Sequence, residues 1–280
     1  MPELPEVETV RLGLVRQLQN FTIARVKVCR ASSIASPAEP SLFCQGLEGC
    51  VVQDWRRRGK YLLASLIRGT ETGHWVVHLR MTGQFLWLEQ PTSPCPHTRV
   101  RMWGQGGQEL RFVDVRSFGQ MWWIPPGIPV DQVVPGLARL GPEPFSEDFD
   151  AGYLAQRLHR SQRAIKTALL DQTLVAGVGN IYADESLFNA GIRPQAVAGK
   201  LSLEQLGRLH DALVTVLRVS IGAGGTTFSD FRDLSGRNGN YGGMAWVYRR
   251  GGHPCRRCGT PIHREKLAGR SSHWCPQCQS

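Results

Sequence analysis

The strongest constraint on the fold is a change of hydrophobic period partway along the chain. Between Ile23 and about Pro125 the apolar residues fall in short β-rich runs, among them "YLLASLI", "HWVVHL", "GQFLWLEQ", "TRVRMW", "ELRFVDV" and "GQMWWIP", separated by glycine and proline. Such runs, with turns at this spacing, predict a β-sandwich or barrel. "GQGGQ" at 104–108 reads as a hairpin turn between two of them. Pro125, Pro126, Pro129, Pro135, Pro142 and Pro144 then mark a linker. Beyond it "EDFDAGYLAQRLHR", "AIKTALLDQ", "NIYADESLFNAG" and "SLEQLGRLHDALVTVLRVSI" carry the three- and four-residue steps of helices. A length of 280 residues supplies two ordinary domains.

The opening "MPELPEVETV" is a separate signal. Val7, Val10, Leu14 and Leu18 form the apolar stripe of an amphipathic helix. Pro5 suits its first turn, where a missing N–H costs nothing, and Glu6 and Glu8 sit where the helix dipole favours carboxylates. A well-made helix start therefore explains Pro5 and Glu6. It leaves Pro2 and Glu3 without a reason.

Charge and cysteine usage narrow the function. A formal net charge of +10 on a folded chain points to a polyanionic partner, nucleic acid before membrane. No apolar run is long enough to span a bilayer, and the first twenty residues lack the basic-then-apolar order of a signal peptide, so a cytoplasmic location is expected. In a reducing compartment eight cysteines argue for metal ligation rather than disulfides. "CRRC" at Cys255 to Cys258 and "CPQC" at Cys275 to Cys278 can close a tetrahedral site with no open position, so one structural Zn2+ is predicted. Cys29, Cys44, Cys50 and Cys95 lack such spacing and read as buried packing residues. Between Tyr248 and Arg270 the segment carries seven Lys and Arg residues against Glu265, which reads as a phosphate grip.

Three further stretches have both a bland and a sharp reading. In "TLVAGVGN" the glycines suit either a helix-packing turn or a phosphate cradle, with Asn180 capping the next helix. Lys60 follows the charge run of "WRRRGKYLL" into a strand, where solvated surface is the ordinary outcome. In "DVRSFG", Arg116 and Phe118 share a side if extended, as an edge-of-sheet pair or as a wedge between stacked bases.

Taken in order, "MPELPEVETV", "RRGKYLL", "HLRMTG", "DVRSFG", "DQTLVAGVGNIYADESLF", "GGTTFSDF" and the terminal cysteine pairs closely resemble the formamidopyrimidine-DNA glycosylase family of base-excision repair. The resemblance runs from residue 2 to 278. It implies an α+β, multidomain fold: an N-terminal helix and β-sandwich over 1–125, a linker over 126–147, a helix-two-turn-helix domain with a lesion-capping loop over 148–245, and a zinc-finger β-hairpin over 246–280. It also implies a monomer that acts on damaged double-stranded DNA with zinc as its one cofactor.

The resemblance assigns roles residue by residue. Pro2, freed by loss of Met1, would be the nucleophile whose iminium drives β and δ elimination. Glu3 would protonate the sugar ring, and Glu6 would anchor the helix. Lys60 and Arg270 would serve the elimination steps and the phosphate grip, with His78 and Asn180 as further phosphate contacts. Met81, Arg116 and Phe118 would fill the gap left by the flipped base, Arg116 meeting the orphaned cytosine. His97, Arg160 and Lys166 would be additional DNA contacts. Ser117 stands where the family often has a second arginine.

On the sequence alone, oxidised purines such as 8-oxoguanine and formamidopyrimidines are the expected lesions. "MPELPEVET" favours them over the oxidised pyrimidines of the sister endonuclease VIII group, whose start resembles "MPEGPE". A damage-binding protein without catalysis is the reading from another class, and intact Pro2, Glu3 and Lys60 speak against it.

Overall fold

The computed structural model describes residues 1–227 and 233–280; the central part of the expected lesion-capping loop, 228–232, lies outside the described residues. The chain forms two units, Met1–Ala138 with Gly224–Asn240, and Arg139–Ala223 with Tyr241–Ser280. Among the described residues no helix is long and apolar enough to cross a membrane.

The first unit is a β-sandwich. Its five-stranded sheet has the order β2 (Ile34–Ser36), β9 (Gln120–Ile124), β5 (Glu71–His78), β4 (Tyr61–Arg68) and β3 (Val51–Arg58), antiparallel except for β2 beside β9. An antiparallel four-stranded sheet has the order β1 (Ile23–Val28), β7 (Thr98–Gly104), β8 (Glu109–Asp114) and β6 (Gly83–Leu88). Period-two alternation sends Leu62, Ala64 and Leu66 of β4 and Trp75 and Val77 of β5 to the face that meets Phe85, Val100, Met102 and Phe112. The Trp75 ring stands edge-on to Phe85 at 5.8 Å, a favoured aromatic geometry. α2 (Pro40–Leu47) adds Phe43 and Leu47 to this core.

α1 (Leu4–Leu18) lays Val7, Val10, Leu14 and Leu18 into the same core, as its periodicity predicts. On its polar side Glu8 pairs with Arg11 at 2.7 Å and with Arg57 of β3 at 3.1 Å. The charge run expected as solvated surface is thus partly a strand that grips α1.

Two boundaries differ from the sequence expectation. The segment expected as a linker is ordered over its first half, because β5 and β9 are apolar on both faces. Val76, Trp122 and Ile124 point away from the main core and are covered by Val130 and Val133 of α3 (Val130–Val133), Val134, and Leu137 of α4 (Pro135–Ala138). Residues 224–240, expected within the helical domain, instead belong to the first unit. Leu234 joins the sandwich core and packs over Gly13, where a Cβ would already lie 3.1 Å from its Cδ1, and its carbonyl accepts the Trp87 N–H at 3.0 Å.

The second unit is helical and ends in a hairpin. α5 (Ala151–Leu158), α6 (Ile165–Leu169), α7 (Asn180–Ala190) and α8 (Leu203–Gly222) match the four predicted helices, and α9 (Tyr241–Met244) is a single turn. Asp150 caps α5 through the Tyr153 N–H, and Ser202 and Gln205 form a reciprocal capping box on α8. Gly191 ends α7 with φ 71°, a left-handed position that suits glycine. β10 (His263–Leu267) and β11 (Arg270–Trp274) form the terminal hairpin.

Two glycines give opposite predictions. Gly83 opens β6 after a tight turn, and a Cβ there would stand 2.5 Å from the Leu79 carbonyl oxygen and 2.8 Å from the Phe112 ring. Gly207 lies inside α8, and a Cβ added to it would meet nothing within 4 Å. Gly83→Ala should therefore lose about 1–3 kcal/mol through overpacking, whereas Gly207→Ala should gain about 0.5–1 kcal/mol from helix propensity. Urea unfolding of each variant checks the pair; an unchanged midpoint for Gly83→Ala would contradict the close approach.

Candidate active site

In the first unit the residues that follow Met1 are buried. Pro2 and Glu3 are both buried, Glu3 at 3 % exposure, while Met1 stays about half exposed. Glu3 has extended backbone at the N-cap of α1 and donates its N–H to Glu6 Oε2 at 2.8 Å. Glu6 Oε1 accepts the Thr226 N–H at 2.7 Å. The Glu6 carboxylate thus fastens the start of α1 to the returning segment 224–227, and satisfies a helix-end donor that would otherwise be orphaned.

Lys60 occupies, with Gly59, the two-residue turn between β3 and β4, one step before the strand it was expected to enter. It is 7 % exposed. The next residue, Tyr61, lies opposite His78 in the β4–β5 register, with the rings edge to face at 4.6 Å. Burial first, then the neighbouring cations Arg80 and Lys60, push the His78 imidazole down to about 3. The Arg80 N–H donates to His78 Nδ1 at 3.0 Å, so the single proton of the neutral ring resides on Nε2, the nitrogen left to donate to an anion.

Met81 and Phe118 line one cavity of about 450 Å3 together with Met1, Arg80, Ser117 and Gln120. The structure thus brings the N-terminus to two of the three expected wedge residues. The third, Arg116, lays its guanidinium 4.6 Å over the Phe118 ring, and Phe118 is half exposed. The pair is not extended, because Ser117 between them has φ 56° and turns the chain. Buried Asp114 holds this turn: Oδ1 accepts the Arg116 N–H at 3.2 Å and the Thr82 hydroxyl, and Oδ2 accepts the Gly119 N–H at 2.7 Å. One carboxylate therefore ties the "HLRMTG" loop to the "DVRSFG" loop. Sequence reasoning missed Thr82 and Asp114 as organisers, although each stands inside one of these two motifs. His97 is exposed in the loop before β7, beside Arg99, and does not line the cavity.

In the second unit Arg270 opens β11 at the tip of the hairpin, exposed to solvent, just after a turn in which Ala268 and Gly269 have φ 47° and 78°. Arg160 is exposed in the turn that follows α5. Asn180 is the first residue of α7 rather than its cap, which is Gly179; its Nδ2 donates to the Ser271 carbonyl at 3.0 Å. Lys166 corrects the expectation of a DNA contact. It is 1 % exposed, and its ammonium is held by Asp184 Oδ1 at 2.7 Å and the Ser271 carbonyl at 2.6 Å. A lysine within an amphipathic helix resembles a surface cation until its buried acidic partner is located.

The sulfurs of Cys255, Cys258, Cys275 and Cys278 all lie within 4.8 Å of one another, with Cys255–Cys278 at 4.0 Å and Cys258–Cys275 at 3.5 Å. A disulfide would require about 2.05 Å. Four sulfurs about 2.3 Å from a tetrahedral zinc lie about 3.8 Å apart, which the cluster matches.

Because His78 is neutral when folded but takes a proton near 6.5 when unfolded, it favours the unfolded state once the pH drops below 6.5. Its contribution to stability is complete above that value and is lost progressively down to about 3. His78→Gln should flatten the loss of stability between about pH 6.5 and 4, measured by urea unfolding; an identical slope in both proteins would show that His78 is not held neutral.

Comparison with known proteins spans the whole chain. Family models match in three successive stretches: the formamidopyrimidine-DNA glycosylase N-terminal domain over residues 1–121, its H2TH domain over 140–232, and a zinc finger found in FPG and IleRS over 252–280. The formamidopyrimidine-DNA glycosylase of Parasynechococcus marenigrum is 67 % identical over 279 residues, covering 100 % of both chains. A Lactococcus lactis FPG mutant in complex with Fapy-dG DNA is 34 % identical, with a TM-score of 0.90 and 100 % of both chains covered. MutM in complex with DNA containing carbocyclic 8-oxo-G is 35 % identical, with a TM-score of 0.89 over 100 % of both chains. The four-cysteine cluster is accordingly a structural zinc site. Since sandwich, helices and finger each meet their counterpart in the same order and at full length, the chain belongs to the formamidopyrimidine-DNA glycosylase family.

Proposed function

We propose that Pro2, once Met1 is removed, is the nucleophile of this enzyme, and that oxidised purines are its preferred lesions. The chain is a DNA glycosylase with abasic-site lyase activity that acts in base-excision repair. The observation that carries the assignment of Pro2 is the cavity of the first unit. There Met1, next to buried Pro2 and Glu3, shares walls with Met81 and Phe118, side chains able to replace a base withdrawn from the stack.

A neutral proline nitrogen attacks C1′ and displaces the damaged base, which leaves with the proton that the attacking amine gives up, and Glu3 protonates the ring oxygen as the bond from C1′ to that oxygen breaks. Opening of the sugar leaves an iminium, which a secondary amine forms with a fixed positive charge. That charge acidifies the C2′ proton; its removal expels the 3′ phosphate, and a second elimination expels the 5′ phosphate. Glu6 keeps Glu3 and the start of α1 in place through its two backbone hydrogen bonds.

The phosphate contacts are Lys60, His78 through Nε2–H, Asn180 at the N-terminus of α7, and Arg270 at the hairpin tip, with His97 and Arg160 as outer contacts. Arg116, stacked on Phe118, meets the orphaned cytosine. The L. lactis and MutM complexes with Fapy-dG and 8-oxo-G DNA support purine lesions for this chain. A DNA substrate supports a cytoplasmic location, at the DNA.

Glu3→Gln separates the steps. Excision of 8-oxoguanine should fall about 10²–10⁴-fold with loss of the acid, while cleavage of a preformed abasic site is partly spared. Arg116→Ala should reduce the preference for cytosine over adenine opposite 8-oxoguanine. Faster release of thymine glycol than of any purine lesion would overturn the substrate assignment.

A further inference from the structure

We infer that Lys166 and Asp184 form a buried latch that sets the position of Arg270, making Lys166 a positioning residue for the DNA grip rather than part of the grip. The side chains are 1 % and 0 % exposed, and Lys166 Nζ to Asp184 Oδ1 is 2.7 Å. From this pair bonds run directly to the hairpin. Lys166 Nζ donates to the Ser271 carbonyl at 2.6 Å, in the residue next to Arg270, and Asn180 Nδ2 donates to the same oxygen at 3.0 Å. Asp184 Oδ2 accepts the His273 N–H at 3.0 Å and lies 3.1 Å from His273 Nδ1, while the Ser272 hydroxyl reaches Asp184 Oδ1 at 3.4 Å.

Three consecutive hairpin residues after Arg270 are thus bonded to α6 and α7 through one ion pair. Arg270 itself is exposed at the end of β11, its partner in the register being Leu267 across a two-residue turn. An exposed arginine at a hairpin tip has many orientations. Anchoring the peptide at its C-terminal side fixes the origin of that side chain, so less conformational freedom is lost when it meets phosphate. Removal of the lysine charge leaves Asp184 buried without its cation and takes one of two donors from the Ser271 carbonyl, which loosens the strand at the base of Arg270.

The inference rests on the reading of Arg270 as a phosphate contact, and two measurements on the zinc-loaded, full-length protein keep the two ideas apart. The first is hydrogen exchange at the amides of residues 270–274. Lys166→Met should raise exchange there about tenfold or more with zinc stoichiometry unchanged; exchange at the wild-type rate overturns the latch. Should that single variant fail to fold, Lys166→Met with Asp184→Asn removes both charges and is read in the same way.

The second is a double-mutant cycle on the salt dependence of binding to undamaged duplex. Arg270→Ala should lower the magnitude of the slope of log affinity against log salt by about 1. Lys166→Met added to Arg270→Ala should change the slope no further, since its effect passes through Arg270. A further drop of about 1 would show that Lys166 contacts phosphate directly and would overturn the inference. If Arg270→Ala alone leaves the slope unchanged, the phosphate reading of Arg270 fails, and the exchange rates decide the latch by themselves.

Discussion

Two adjacent carboxylates on α7, Asp184 and Glu185, are both wholly buried, and the second unit is arranged to supply them with donors. Leaving either charge uncompensated would cost several kcal/mol. Neighbours in a helix point about 100° apart, so the two carboxylates reach different segments. Glu185 accepts the N–H groups of Trp246, Val247 and Tyr248 at 2.8–2.9 Å and faces the Tyr241 hydroxyl at 3.3 Å. Burial pushes its carboxyl up, and the three backbone donors oppose that shift. Asp184 takes Lys166 and the β11 backbone. One helical turn therefore holds both the segment that leads into the zinc finger and the strand that returns through it, while Cys255 and Cys275 of the zinc cluster pack with Phe188 further along the same helix.

The first unit uses the same device at its reactive end. Glu6 gives one oxygen to the Glu3 N–H and the other to Thr226, and Asp114 divides its oxygens between the two wedge loops. In each case a buried carboxylate satisfies backbone donors from irregular segments that have no ladder of their own. The consequence is functional: Pro2, Met81 and Arg116 sit on loops, turns or the chain end and Arg270 opens a strand at a hairpin tip, yet each segment is fixed by a carboxylate beneath it. Neutral acceptors would hold these turns less firmly, because hydrogen bonds to ionised groups are roughly twice as strong.

Much of this was legible in the sequence. The change of period gave the strands from β4 to β9 and the four helices α5 to α8, since those elements depend on local alternation and periodicity. Cysteine spacing gave the metal site because ligation requires only four thiolates at hairpin distance. What stayed hidden depends on partners far away in the chain. Leu234 looks like a loop residue until the core beside Gly13 is seen. Val134 looks like linker until the second apolar face of β5 and β9 is seen. Lys166 looks like a surface cation, and Asn180 like a cap, until Ser271 and Asp184 are placed beside them. The turn at Ser117 stays hidden because nothing local to "DVRSFG" signals a left-handed residue; the demand comes from Asp114 gathering both ends of the turn.

Whether the reacting amine is the nitrogen of Pro2 is tested most directly by borohydride reduction of the covalent intermediate on 8-oxoguanine DNA. Digestion and mass spectrometry of the trapped complex should place the reduced sugar on the N-terminal peptide, at the proline nitrogen. Protein that retains Met1, whose Pro2 nitrogen is a tertiary amide, should give no adduct although it still binds duplex. An adduct on Lys60, or one formed at the normal rate by the blocked protein, would contradict the account.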